Sequence, residues 1–135
     1  MNEWNLRNRK VIDEFRANNG KIAWFGSLLL LHTQGAKSGK EHVNPVVYIP
    51  DGERWLIIAS KGGAPTNPDW YYNIQANPRV TVEIGAETLQ AQASILSEPE
   101  RTRVYDKIAH AMPSFAEYRD RTTRTIPVVA LTPIK

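Results

Sequence analysis

Residues 28–59 read LLLLHTQGAKSGKEHVNPVVYIPDGERWLIIA, and this stretch decides the fold. Leu28 to Thr33 is a short apolar run of the kind that forms a buried strand. Gly35-Ala36-Lys37-Ser38-Gly39-Lys40 has the composition of a turn. His42 to Ile49 reads as a second strand, and Asp51-Gly52 is a hairpin signal. Arg54 to Ala59, with Trp55, Ile57 and Ile58, makes a third. Three strands joined by tight turns predict an antiparallel meander. Pro45 has no N–H to give a ladder, so the second strand is expected to lie at an edge or bulge there.

Upstream, residues 3–17 carry Trp4, Val11, Ile12 and Phe15 on one stripe at helical spacing. Asn19-Gly20 then supplies residue types that end helices. Downstream, Ser60 to Pro68 reads as a loop, and Pro68 to Gln75 as a short helix broken by Asn77-Pro78. Val80 to Ile84 and Thr88 to Ile95 are two strands joined around Gly85. Ser97-Glu98-Pro99-Glu100 matches a capping box and predicts a helix to about Ala111. Pro113 to Thr122 reads as a further helical turn or two, and Ile126 to Leu131 as a last strand. The expected fold is α+β, mainly β. Short hairpins close into a small barrel, which removes sheet edges, and the helices pack on it. Strands and helices do not alternate regularly, which argues against a Rossmann-type sheet.

The chain has 135 residues, the size of one domain, so 1–135 is expected to be a single unit with residues 1–20 as its N-terminal helix. With no cysteine there is no disulfide scaffold, thiol nucleophile or Cys-ligated metal. The three histidines, His32, His42 and His110, lack metal-ligand spacing, so no metal is expected. A net charge of +3 and a pI near 9.3 suggest an anionic partner. The apolar run Leu28 to Leu31 is far short of a membrane span. Met1-Asn2-Glu3-Trp4 opens without a signal-peptide stretch, so a cytoplasmic protein is expected.

Several segments have the chemistry to hold an anionic, planar ligand. Gly35 to Lys40 offers backbone amides, two lysines and a hydroxyl, without the spacing of a Walker loop. Its plain alternative is a solvated hairpin turn. Ser60-Lys61-Gly62-Gly63 repeats that chemistry directly after a strand, and its alternative is an ordinary loop. Asp69-Trp70-Tyr71-Tyr72-Asn73 offers aromatics able to wall a flat ring, although packing on the barrel is the stronger reading for at least two of the three rings. Asn44-Pro45 leaves a ladder gap that a heterocycle or a simple bulge would fill. Tyr118, three residues after Phe115, has a hydroxyl able to bond a substrate carbonyl or to lie at the surface.

Gly35 to Gly39, Val43-Asn44-Pro45, Ala59 to Ala64, Pro68 to Asn73, Asn77-Pro78 and Arg124-Thr125-Ile126-Pro127 together resemble the deazaflavin-dependent nitroreductase family. The match runs in order from about residue 20 to the end. The resemblance implies a split β-barrel, FMN-binding-like, and reduced coenzyme F420 as hydride donor. It implies a quinone or other activated planar acceptor, nitroaromatics included. By resemblance Ala36, Lys37, Ser38 and His42 face the coenzyme's phosphate and acidic tail. Val43, Asn44, Pro45 and Val46 border the deazaflavin. Ile58, Ala59, Ser60 and Lys61 line its other side, and Asp69, Trp70, Tyr71, Tyr72 and Asn73 complete the pocket. Ser60 and Tyr118 are the expected catalytic donors. The family often has Arg at the positions of Ala36 and His42, which leaves the grip here to Lys37, Lys40 and Lys61. Phe115 and Arg121 stand where two family tyrosines are expected.

Two other readings keep the barrel. One takes FMN as cofactor, with heme less well supported. The other is a non-catalytic binder of single-stranded nucleic acid, against which stand the modest charge and the clustering of lysines at turns. No nucleic-acid partner is therefore expected. A homodimer is compatible with the reading. So is weak contact of Arg7, Arg9, Lys10 and Arg16 with the inner face of the membrane, although covering the barrel is the stronger role for that helix.

Overall fold

The computed structural model describes residues 3–18 and 28–134. The elements are α1 (Glu3–Ala17), β1 (Leu28–Gln34), β2 (Glu41–Asp51), β3 (Arg54–Ile58), α2 (Asp69–Ala76), β4 (Arg79–Ile84), β5 (Glu87–Ile95), α3 (Glu100–Ala111), α4 (Pro113–Asp120) and β6 (Val128–Pro133). A single 3-10 turn, Lys61–Gly63, lies between β3 and α2. All strand pairs are antiparallel, and the order β1-β2-β3-β6-β5-β4 closes on itself. The fold is the mainly β split barrel with packed helices that the sequence predicts. The side chain of Trp4 and the Asn19-Gly20 helix stop lie outside the described residues.

The four consecutive leucines follow from strand periodicity, because both faces of β1 are covered. Leu29 and Leu31 point into the barrel with Ile57, Val82, Ala91, Val129 and Leu131. Leu28 and Leu30 point outward and meet Val11 and Phe15 of α1. β3 repeats the pattern. Ile57 and Ala59 are inside, while Leu56 and Ile58 meet Tyr105, Ile108 and Phe115 of α3 and α4. Burying one such leucine contributes roughly 1.5–3 kcal/mol. α1 is also held by a bidentate ion pair, Arg16 Nη2 to Glu83 Oε2 at 2.8 Å and Nε to Oε1 at 3.2 Å. His32 stands between Glu83 and Glu41, with Nε2 at 2.5 Å and Nδ1 at 3.3 Å from their carboxylates.

β2 changes partner midway. Glu41 to Val47 pair with β1, and Tyr48 to Asp51 pair with β3. The flank of residues 41–47 away from β1 has no strand partner among the described residues, and Pro45 lies in that half, as its chemistry requires.

Three expectations are corrected. The Ser97 capping box does not form, because Pro99 is the N-cap and Ser97 stands two residues too early. The Glu98 carboxylate does that work instead, accepting the Thr102 N–H at 2.9 Å and the Thr102 hydroxyl at 2.8 Å. Pro68 is the N-cap of α2, with extended backbone, and not a residue of its first turn. The last strand runs Val128–Pro133, two residues later than the apolar run suggested. Ile126 and Pro127 are nevertheless buried, and the Pro127 carbonyl accepts the Ala59 N–H at 3.0 Å.

Candidate functional site

The first turn is closed by Gly35 N–H to the Lys40 carbonyl at 2.7 Å and Gly39 N–H to the Gly35 carbonyl at 3.0 Å. A Cβ added at Gly35 would stand 2.6 Å from Ser38 Oγ, 3.2 Å from His42 Nε2 and 3.3 Å from the Lys40 carbonyl oxygen, so these groups crowd the Gly35 position. The His42 ring therefore lies against the turn. Ser38 Oγ accepts the Lys40 N–H at 3.2 Å and keeps its own proton for another partner. Ala36, Lys37, Ser38, Lys40 and His42 are exposed, and among the described residues neither lysine is ion-paired.

Asn73, only 7% exposed, fixes this turn to α2. Its Oδ1 accepts the Ala36 N–H at 3.0 Å, and its Nδ2 donates to Thr33 Oγ1 at 3.0 Å. That amide is used inside the fold. Trp70 is also internal, at 6% exposure in the barrel core, with Tyr71 packed beside it. Tyr72 is the outward ring of the three, 46% exposed and edge-on to Tyr71 at 5.6 Å. Asp69 is exposed in the first turn of α2.

The second turn is organised by a residue to which sequence reasoning gave no role. Arg124 donates Nε to the Ala64 carbonyl at 2.9 Å and Nη1 to Asn67 Oδ1 at 2.6 Å. Its Nη2 donates to the carbonyls of Ala59 at 3.1 Å and Ser60 at 2.8 Å. Burial pulls this guanidinium below the usual arginine range, while Tyr72 and Tyr105 oppose that pull. Four oxygen acceptors offset the cost of desolvating it. Its acceptors lie 57 to 65 residues away in sequence, so no local pattern announces the role. The hint available was an arginine just before a buried Ile-Pro pair.

A trans peptide places its N–H opposite its carbonyl. With the Ala59 and Ser60 carbonyls turned to Arg124, the Ser60 and Lys61 N–H groups point the other way. Neither has an acceptor among the described residues. Ser60 is right-handed (φ −78°, ψ −38°) and Lys61 left-handed (φ 48°), a sequence of conformations that forms an anion-accepting concavity. The Ser60 hydroxyl makes no hydrogen bond among the described residues, although the residue is buried. Lys61 Nζ reaches Thr66 Oγ1 at 3.3 Å. A donor set of two free amides, a free hydroxyl and nearby lysines suits a ligand bearing phosphate and ring carbonyls.

α4 sits on this turn. A Cβ on Gly63 would stand 2.9 Å from the Tyr118 carbonyl oxygen and from Arg121 Cβ. Tyr118 is half-buried, edge-on to Phe115 at 5.6 Å, with the Arg121 guanidinium 5.9 Å from its ring. Along β2, Val43 packs toward α1 and Val46 toward the barrel core, while Asn44 and Pro45 are half-buried. Ile58 and Ala59 are buried, and their side chains belong to the two cores. The structure thus joins Ser60, Lys61 and the α4 segment of Tyr118, ties the first turn to α2 through Asn73, and holds the second through Arg124. Among the described residues no cluster suits a metal ion, and no helix is long and apolar enough to cross a membrane.

Residues 7–133 match the family model described as F420H(2)-dependent quinone reductase. An F420H(2)-dependent quinone reductase of Mycobacterium tuberculosis is 36% identical over 125 residues, spanning 87% of this chain and 84% of that protein. A solved F420-H2 dependent reductase, FDR-A, superposes with a TM-score of 0.69 at 38% identity, covering 78% of this chain and 93% of that one. A solved domain-swapped dimer matches with a TM-score of 0.71 at 34% identity, covering 96% and 97% of the two chains.

Proposed function

This chain belongs to the F420H(2)-dependent quinone reductase family, and from that premise we propose how its own residues hold the coenzyme and serve the acceptor. The protein is an oxidoreductase that uses reduced coenzyme F420 to reduce quinones. When bound, the reduced deazaflavin supplies the hydride. Everything else falls to the chain: binding, orientation and charge stabilisation.

In this reading the exposed Lys37 and Lys40 and the Ser38 hydroxyl grip the coenzyme's phosphate. The Ser60 and Lys61 amides, without an acceptor among the described residues, donate to an anionic or carbonyl oxygen, and Asn44 to Val46 border the ring from the flank of β2 away from β1. Asn73 and Arg124 are positioning residues that hold the two turns. The Ser60 hydroxyl and the Tyr118 hydroxyl donate to the oxygen of the acceptor as negative charge develops there. Ser60 is mostly buried, and a donor fixed in place stabilises that charge without reorganising at the moment of reaction. Tyr72, the exposed ring, walls the pocket; Trp70 keeps its place in the core.

The observation that supports this assignment best is the pair of free amides at Ser60 and Lys61, aimed by Arg124. We also propose that the chain is one unit and forms a homodimer, a state supported by the domain-swapped relative. A cytoplasmic site of action is part of the same proposal. Any lipid contact falls to the exposed Arg9 and Lys10, since Arg16 is bound to Glu83 and the side chain of Arg7 lies outside the described residues. Calorimetric titration with oxidised and reduced coenzyme tests the reading, followed by the loss of the reduced coenzyme's absorbance on adding quinones. Binding in at least one redox state and quinone-dependent oxidation are expected. No association in either state would overturn it.

A further inference from the structure

The geometry points to a second polar site. An open cavity on the outer wall of the barrel, beside the first turn, receives the carboxylates of the coenzyme's acidic tail. This rests on the coenzyme reading above and extends it to residues outside the two turns.

The cavity has a volume of about 380 Å³, within the range of small-ligand sites, and Gln34, Asn77, Arg79, Thr81 and Gln90 contribute its polar lining. One cation and several amide and hydroxyl donors line it, and no carboxylate does. That set suits an anion. Arg79 Nε donates to Gln90 Oε1 at 2.8 Å, which orients the guanidinium. Its terminal amino groups have no partner among the described residues. The side chains of Gln34, Asn77 and Thr81 likewise make no hydrogen bond among the described residues. An arginine held in this way presents a two-pronged donor, the shape that recognises a carboxylate.

The cavity joins the first turn through Gln34, the last residue of β1. A Cβ on Gly39 would lie 3.9 Å from Gln34 Nε2, so the Gln34 amide borders both. The acid nearest in register, Glu41, faces Gln34 across the β1–β2 pair, but its carboxylate is 3.3 Å from His32 Nδ1. A phosphate held at Lys37 and Lys40 therefore leaves the following acidic groups next to a cavity that offers donors and one free guanidinium.

The test is a titration of the wild-type protein, Arg79→Ala and Arg79→Lys with two forms of the coenzyme. One form carries several terminal glutamates and the other none. The wild type should bind the tail-bearing form about fivefold more tightly, the scale of one exposed charge-assisted contact. Arg79→Ala should abolish that difference and leave the tail-less affinity unchanged, and Arg79→Lys should restore only part of it. Equal affinities in the wild type, or equal weakening of both forms in Arg79→Ala, would overturn the proposal. Failure of the tail-less form to bind the wild type at all would instead overturn the coenzyme reading on which it rests.

Discussion

Arg124 Nη2 donates to the Ser60 carbonyl at 2.8 Å, across 64 residues of chain. The same nitrogen holds the Ala59 carbonyl at 3.1 Å. Two successive peptides are thereby turned so that their amides face away from the guanidinium. Removing Arg124 takes a donor from four oxygens, of which the Ser60 carbonyl keeps the Gly63 N–H at 3.0 Å. Arg124→Ala is expected to destabilise the fold by roughly 2–3 kcal/mol, read from urea denaturation. Coenzyme affinity should fall by about tenfold or more. Arg124→Lys should restore little of either, because an ammonium cannot reproduce a planar fork of donors. Wild-type affinity in Arg124→Ala would refute the aiming role.

Gly63 combines a φ of +83° with a Cβ position 2.9 Å from the Tyr118 carbonyl oxygen. Gly63→Ala should cost about 1–3 kcal/mol through strain and displacement of α4. Gly62 has a φ of +64° but nothing within 4 Å of its Cβ position. Gly62→Ala should cost only about 1 kcal/mol. Thermal melts of the pair would separate the two causes; equal losses would mean that α4 does not press on the turn.

Lys37 is exposed and has no ion pair among the described residues, whereas Tyr118 sits in α4 beside the second turn. Lys37→Ala should weaken coenzyme binding about fivefold while changing the rate of the bound complex little. Tyr118→Phe should leave affinity near wild type and slow single-turnover quinone reduction about tenfold or more. Normal coenzyme affinity in Lys37→Ala would show that the first turn does not hold the phosphate.

Glu83 is held below the ordinary carboxylate range, first by its hydrogen bonds from Arg16 and then by His32, against the opposing pull of burial. A group with a depressed folded pKa stabilises fully above its unfolded value, and that stability is lost as pH falls through the folded value. The Glu83 contribution should therefore be intact near neutrality and decline below about pH 4.3. Glu83→Gln should flatten this part of the acid slope in urea unfolding and release α1 to proteolysis. An unchanged slope would assign the acid sensitivity elsewhere.

Much of the fold was legible because its signals are local. Leu28 to Leu31 and Leu56 to Ala59 are apolar at every position, and strands covered on both sides require that. Pro45 marked the half of β2 that lacks a second strand partner among the described residues, since a residue without N–H is tolerated there. The site was legible as segments, through two lysine- and glycine-bearing turns, but not as an arrangement. Asn73 looked like a pocket residue, yet its amide bridges Ala36 and Thr33. Arg124 stood in one of the family-like segments but with no role, because nothing within ten residues of it in sequence reveals which carbonyls it meets. The Ser97 box failed for a different reason. The pattern was present, but Pro99 set the helix start two residues later and gave the cap to Glu98.

The Asn73 bridge has a consequence for how the molecule breathes. A surface turn of this composition would ordinarily open on its own and exchange its amide hydrogens fast. Here the Ala36 proton is bound by a buried amide that is itself tied to β1, so it is released only when barrel and helix come apart. The turn belongs to the same cooperative folding unit as the core. Much of the ordering entropy that a ligand would otherwise have to overcome is already lost when the chain folds.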